Sequence, residues 1–160
     1  MGWFNWFGRK SHETVYAERI YEAFVDDEMG DMTPDKLRVP KEALRRYQEK
    51  ALFHREAFAF AALAKAATND PLLLRVLMEL ERLIVTKRSG RGAPVEKTMD
   101  AAFHDVERLF VDPFKWAQDW LSEFRSDPDD NFMVFHFANH WQAQFKGMKG
   151  GIEKTRRRQS

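Results

Sequence analysis

The chain has 160 residues, of which 44% are hydrophobic and 32% charged, with a formal net charge of +1. Its length is typical of one globular domain, and its 14 Phe and 5 Trp residues exclude an intrinsically disordered chain. The near-neutral charge disfavours a dedicated nucleic-acid-binding protein, and the absence of cysteine excludes disulfides, thiol catalysis and Cys-ligated zinc.

Helix start and stop signals predict two helices in the first part of the chain. The first begins after Ser11, its expected N-cap, and ends near Met29, where Gly30 follows as a helix terminator. The second has Pro40 at its first position. Residues 58–67 in that helix leave almost no polar side, which predicts that this segment is the centre of a helical bundle.

The rest of the chain repeats the same capping signals. Asp70 and Asp112 each precede a proline, so each is expected to cap a new helix, and Pro94 opens another between them. The last helix is expected to end near Lys146, because Gly147 follows it.

These elements predict an all-α, single-domain bundle of five to six helices over residues 11–146. An aromatic and basic N-terminal arm is expected at 1–10, and a basic, flexible C-terminal tail at 147–160. No apolar run reaches the roughly 20 residues of a membrane span, and the N-terminus does not have the order of a signal peptide. We therefore expect a cytoplasmic protein that at most touches a membrane peripherally.

The N-terminal arm carries four large aromatic rings on one side of a helical wheel. Three interpretations stay open: the rings fold back onto the domain, dock on a partner protein, or enter a membrane surface beside nearby cations. The residues are Trp3, Phe4, Trp6 and Phe7.

The C-terminal third carries more aromatic rings than one core face needs. Phe137 and Trp141 belong to the core face of the last helix, while further rings lie opposite or beside it. Either that helix is buried between two layers, or one side meets a partner. The candidate anchors are Trp116, Trp120, Phe132 and Phe135.

The tail ends in a basic cluster, Arg156, Arg157 and Arg158. Such a cluster suits anionic lipid or phosphate, or it serves only to solubilise the chain. No aromatic residue follows Phe145, so stacking on single-stranded bases is not encoded there and nucleic acid is an unlikely partner.

Three histidines are the candidate metal ligands. His136 and His140 are four residues apart and share a side of their helix, and His54 is expected to face inward. A zinc-protease motif would need Glu after the first histidine, where Phe137 stands.

The segment from His136 to His140 resembles the last-helix motif of the DinB-like four-helix metalloproteins. That resemblance implies a metal held by one histidine on an early helix and a His-x-x-x-His pair on a late one. In that family the pair begins at the histidine of Asn-His, which is His140 here, and its partner position is occupied by Gln144.

Catalytic motifs are otherwise missing from the sequence. There is no Glu-x-x-His for a di-iron site, no Gly-x-Ser-x-Gly and no P-loop. Glu56 lies within apolar sequence, and we expect it to be neutralised by a neighbouring arginine.

Two hypotheses remain. The first is a non-enzymatic binding, adaptor or assembly protein that docks an unknown protein partner or a second copy through aromatic anchors. The second is a metal-dependent or small-molecule-binding bundle enzyme built on the histidines. We favour the first and expect no cofactor.

Overall fold

A computed structural model describes residues 10–26, 37–93, 98–124 and 130–159. Within these ranges the chain forms six α-helices, one 3-10 turn and no strand, which confirms the predicted all-α bundle. The elements are α1 (His12–Phe24), the 3-10 turn (Lys41–Ala43), α2 (Leu44–Ala66), α3 (Pro71–Gly90), α4 (Thr98–Val111), α5 (Pro113–Ser122) and α6 (Asn131–Gln159).

Side-chain caps begin the helices where the sequence predicts them. The Ser11 hydroxyl accepts a hydrogen bond from the backbone N–H of Thr14, which starts α1. Asp70 and Asp112 accept backbone N–H groups in the first turns of α3 and α5, each followed by a proline at the first helical position. These contacts are local, so the sequence signal and the structure agree.

Two predicted helix ends in the first half were wrong. α1 ends at Phe24 rather than near Met29, and the predicted cap Gly30 lies outside the described residues. Val25 is fully buried after α1, and Nε of Arg55 donates to its carbonyl oxygen at 2.7 Å. A cation at the last carbonyls of a helix favours termination there.

Pro40 lies before α2 and is not its first residue. Its extended backbone (ψ 149°) leads into the 3-10 turn Lys41–Ala43, in which the N–H of Ala43 donates to the carbonyl oxygen of Pro40. The α-helix itself begins at Leu44.

α2 is the central helix of the bundle. It packs against α1 and α3 on one side, which also pack on each other, and against α4 and α6 on the other, where α5 joins them. Residues 57–63 are buried on every side, so the predicted centre at 58–67 is confirmed over 58–63, whereas Ala64 is half-buried and Lys65 is exposed. Two residues apart on a helix are about 200° apart around its axis, so His54 and Glu56 face the two different groups of helices.

The predicted loose tail is wrong. α6 continues through Gly147 to Gln159, because Met148 and Ile152 extend its buried stripe and are each 1% exposed. Gly151 also lies against the bundle: a Cβ atom there would be 2.8 Å from Cζ of Phe24. This glycine allows α6 to pass close to α1, so it serves packing and does not terminate the helix.

Candidate functional site

His54 lies in an aromatic cluster between α2, α4, α5 and α6. Its side chain is buried, and five ring centroids lie 5.5–5.9 Å from its own: those of Phe53, Phe58, Trp116, Trp120 and Trp141. Its Nδ1 is 3.1 Å from the carboxylate Oδ2 of Asp105 on α4. The inward orientation expected for His54 is therefore present, and the contact with Asp105 joins α2 to α4.

The surroundings keep His54 uncharged at neutral pH. Burial lowers the pKa of the His54 imidazole, and this effect outweighs the opposing influence of Asp105. Burial alone would raise the pKa of Asp105, but the contact with His54 and the charges of Arg108 and Lys50 lower it overall. A neutral imidazole beside an ionised carboxylate is the arrangement that fixes a ring and links two helices.

The three candidate metal ligands are not gathered into a metal site. His136 is exposed, its ring stacked parallel to that of Phe132 with the centroids 6.4 Å apart. Nε2 of His140 is 3.4 Å from the Gln144 side-chain amide. Within the described ranges, no three His, Asp or Glu side chains are grouped as a metal ion requires. This geometry gives no support to the ligand set implied by the DinB-like resemblance.

Glu56 faces the opposite side of α2 and is fully buried. Nη2 of Arg91 donates to it at 2.7 Å, and the hydroxyl of Tyr21 donates at 3.3 Å, which confirms the expected arginine partner. The guanidinium of Arg88, 6% exposed, adds positive charge and lies 4.4 Å above the ring of Phe53.

Burial sets the ionisation of this polar group as well. It raises the pKa of Glu56, against the lowering effect of Arg91 and Arg88. Burial and the nearby carboxylate together raise the pKa of Tyr21 to about 12, so its hydroxyl stays protonated and able to donate. All of these contacts join α1, α2 and α3, and the group serves the fold.

Trp116 and Trp120 lie in the core and not on the surface. Each is 3% exposed, and their rings pack between α2 and α6. Trp116 stacks on Phe137, with the ring centroids 6.0 Å apart. Neither indole offers surface to a partner, so the two predicted anchors are corrected to core residues.

Phe132 and Phe135 are the opposite case. They lie on the first turns of α6 and are 81% and 60% exposed. With His136, which stacks on Phe132, they form what we call the aromatic patch. Large rings this exposed contribute little to the core, and a contiguous exposed apolar surface is typical of an interface.

The cations of the C-terminal segment are placed by the helix that extends into it. Arg156 pairs with Asp70 at 3.1 Å, which ties the end of α6 to the start of α3. Arg157 and Arg158 are exposed on the last turns. All three predicted anion-binding residues are therefore exposed, and Arg156 also forms an ion pair that holds the end of α6.

A small groove lies between α1 and α3. It measures ≈ 180 Å³ and is lined partly by Thr14, Glu79 and Arg82. Sites for small organic ligands usually measure about 300–1,000 Å³. The groove is therefore no basis for an enzyme pocket.

The predicted anchors of the N-terminal arm, Trp3, Phe4, Trp6 and Phe7, lie outside the described residues. In the part of the chain that is described, no helix is both long and apolar enough to cross a bilayer. The chain matches no family model, and no curated protein or solved structure resembles it significantly.

Proposed function

We propose that the chain is a non-enzymatic docking protein, an adaptor or assembly subunit, that holds a protein partner through the aromatic patch of α6. The observation that carries the proposal is the exposure of Phe132 and Phe135, at 81% and 60%. The other Phe and Trp rings on α6, those of Phe137, Trp141 and Phe145, are buried against the bundle. Two large rings one turn apart on a surface helix are the kind of anchor that dominates protein interfaces.

The energetics support the same conclusion. Burial of a Phe side chain contributes roughly 1.5–3 kcal/mol, so two rings supply a useful share of a micromolar affinity. Each Phe side chain has only two χ angles to fix and lies on a helix that is already packed, so docking costs little side-chain conformational entropy. The N-terminal rings Trp3, Phe4, Trp6 and Phe7 extend this proposal as a second set of anchors. A cytoplasmic setting, supported by the lack of cysteine, completes it.

Affinity capture from native lysate tests the proposal. The full chain is compared with Phe132→Ala/Phe135→Ala and with Leu74→Ala/Met78→Ala, which removes two exposed apolar residues from α3. We expect the α6 variant to lose a captured protein that the α3 variant and the full chain both retain. Equal capture by all three would remove the aromatic patch as the docking site.

Two further baits separate the alternatives. A bait comprising residues 11–160 tests the arm: loss of capture with an unchanged circular dichroism spectrum would assign anchors to residues 1–10. Sedimentation of the purified chain tests a second copy as partner, since a dimer dissociated by the Phe132→Ala/Phe135→Ala change would make the docking partner another copy.

A further inference from the structure

The aromatic patch is one end of a longer exposed ridge on α6. Eight residues spaced three or four apart lie along one line of the helix, and all are exposed. At 1.5 Å per residue the ridge is about 38 Å long. From its N-terminal end it comprises Phe132, His136, Asn139, Ala143, Lys146, Gly150, Lys154 and Arg157.

The charge along α6 is divided between its halves. Residues 131–145 contain no Asp, Glu, Lys or Arg, whereas residues 146–158 contain six basic residues and one acid, Glu153. Cations in the last turn stabilise a helix C-terminus, which accounts for part of the cluster. Lys146 and Lys149 lie two to three turns earlier, beyond the range of that effect. The positive ridge therefore exceeds what helix stability explains.

The middle of the ridge has unusually little side chain. Gly150 on the ridge and Gly147 beside it lie inside the helix, and a Cβ atom at either would have no neighbour within 4 Å. Each glycine costs an exposed helix up to about 1 kcal/mol relative to alanine. Gly151 is explained by its contact with Phe24, but no contact among the described residues explains Gly147 and Gly150. Their effect is to leave the helix backbone without side chains at two positions between the aromatic and basic ends.

We propose that the partner element is an acidic amphipathic helix lying along this ridge, with an apolar end on the aromatic patch and a carboxylate-rich end beside Lys154 and Arg158, an exposed cation one turn after Lys154. This inference rests on the proposed docking function and adds the chemistry of the partner. Charge complementarity selects an acidic ligand. The absence of side chains at Gly147 and Gly150 lets a partner helix approach the backbone of α6 closely, as ridges-into-grooves packing requires.

Synthetic peptides test the partner chemistry directly. The probe is a labelled, alanine-based helical peptide of about 25 residues, long enough for the ridge. One half of its exposed face carries leucine and the other half glutamate, in both sequence orders, and a matched peptide carries glutamine for glutamate. We expect the full chain to bind a glutamate peptide roughly tenfold more tightly than the glutamine peptide at low salt, with the difference shrinking as salt rises.

Variants of the chain assign that preference to α6. Lys154→Gln/Arg158→Gln is expected to remove most of the preference for glutamate. Arg19→Gln/Lys41→Gln, which removes two exposed cations elsewhere, is expected to leave it unchanged. Gly150→Leu is expected to weaken binding while leaving the thermal unfolding midpoint unchanged or higher. Gly150 is exposed, and a Cβ atom there has no neighbour within 4 Å, so the new side chain does not disturb the fold.

Three results would overturn the inference: equal affinity for the two peptides, no binding of either, or binding to phosphatidylserine vesicles without any preference for glutamate. The last would assign the ridge to a membrane surface. The docking function has its own test. Capture that is lost in Phe132→Ala/Phe135→Ala but is insensitive to salt and to Lys154→Gln/Arg158→Gln would keep the docking function and remove the acidic helix.

Discussion

The interior around α2 and the outer ridge of α6 use similar residues in opposite ways. Around α2, aromatic rings pack on one another. The buried imidazole of His54 lies beside the carboxylate of Asp105, and the buried carboxyl group of Glu56 lies beside the guanidinium of Arg91. On the ridge, Phe132 lies open and cations outnumber acids. The interior residues account for the fold, and the ridge residues are left over by it. Exposed residues that the packing of the bundle does not require are candidates for a binding surface.

The largest effect should separate two phenylalanines of the same helix. Phe137 is fully buried and its ring centroid lies 4.8 Å from that of Trp120, so Phe137→Ala is expected to lower the free energy of unfolding by about 3–5 kcal/mol. Phe135→Ala should change it by less than about 0.5 kcal/mol. Urea unfolding measures both. Similar losses would show that Phe135 belongs to the fold and not to a docking surface.

Buried and exposed carboxylates should differ almost as much. Glu56→Gln leaves the buried guanidinium of Arg88 and the partly exposed one of Arg91 beside a neutral amide, and we expect a loss of about 2 kcal/mol in unfolding free energy. Glu49→Gln breaks an exposed pair with Arg45 and should cost less than about 0.5 kcal/mol. A mild effect at Glu56 would contradict the assignment of its cluster to the fold.

Lowering the pH should reduce the free energy of unfolding through the buried His54. The pKa of His54 is lowered in the folded state by burial, so the unfolded chain takes up the proton first. The contribution of neutral His54 to stability is therefore complete above a pH of about 6.5 and is lost progressively as the pH falls below it. Of the groups facing it, Asp105 and Glu123 oppose the lowering of this pKa and moderate the loss, whereas Lys50 adds to the lowering; the sign is unchanged.

The comparison is made by urea unfolding between pH 8 and pH 5. The His54→Gln variant, which has no proton to gain, should show a flatter dependence of unfolding free energy on pH than the natural chain. His136→Gln, on the ridge, should leave the dependence unchanged. A parallel decline in the natural chain and His54→Gln would contradict the role assigned to the buried imidazole.

Adjacent glycines give the smallest and most local contrast. Gly150→Ala is expected to raise the free energy of unfolding by roughly 0.5–1 kcal/mol, because its Cβ enters open space and helix propensity improves. Gly151→Ala is expected to lower it, because its Cβ would lie 2.8 Å from Phe24. Thermal unfolding of both variants checks the signs. Equal signs would contradict the division of α6 into an inner and an outer face.

The features that sequence reasoning predicted correctly depend on neighbouring residues. The caps at Ser11, Asp70 and Asp112 involve contacts within one helical turn. The largely apolar segment 58–67 is stable only where most of its side chains are buried. Partners such as Asp105 for His54 are distant in sequence, and no local pattern identifies them. The exposed face of α6 could be placed because Phe137 and Trp141 define its buried side.

Two predictions in the C-terminal half were wrong: the end of the last helix and the exposure of two tryptophans. The glycines after Lys146 suggested a helix end, although Met148 and Ile152 continue the buried spacing of Phe145 and indicate a longer helix. Trp116 and Trp120 seemed surplus to one core face, because a sequence does not show that α5 is enclosed between α2 and α6.

Site-specific photo-cross-linking tests the central claim most directly. A photoreactive phenylalanine analogue is placed at Phe132 on the ridge and, as a control, at Met78, which is 68% exposed on α3. Each full-length protein is irradiated in native lysate. We predict that position 132 gives a discrete cross-linked protein that position 78 does not give. An excess of the unlabelled natural chain should suppress this product, whereas an excess of the unlabelled Phe132→Ala/Phe135→Ala variant should not. The same products from both positions, or none from position 132, would contradict docking through α6.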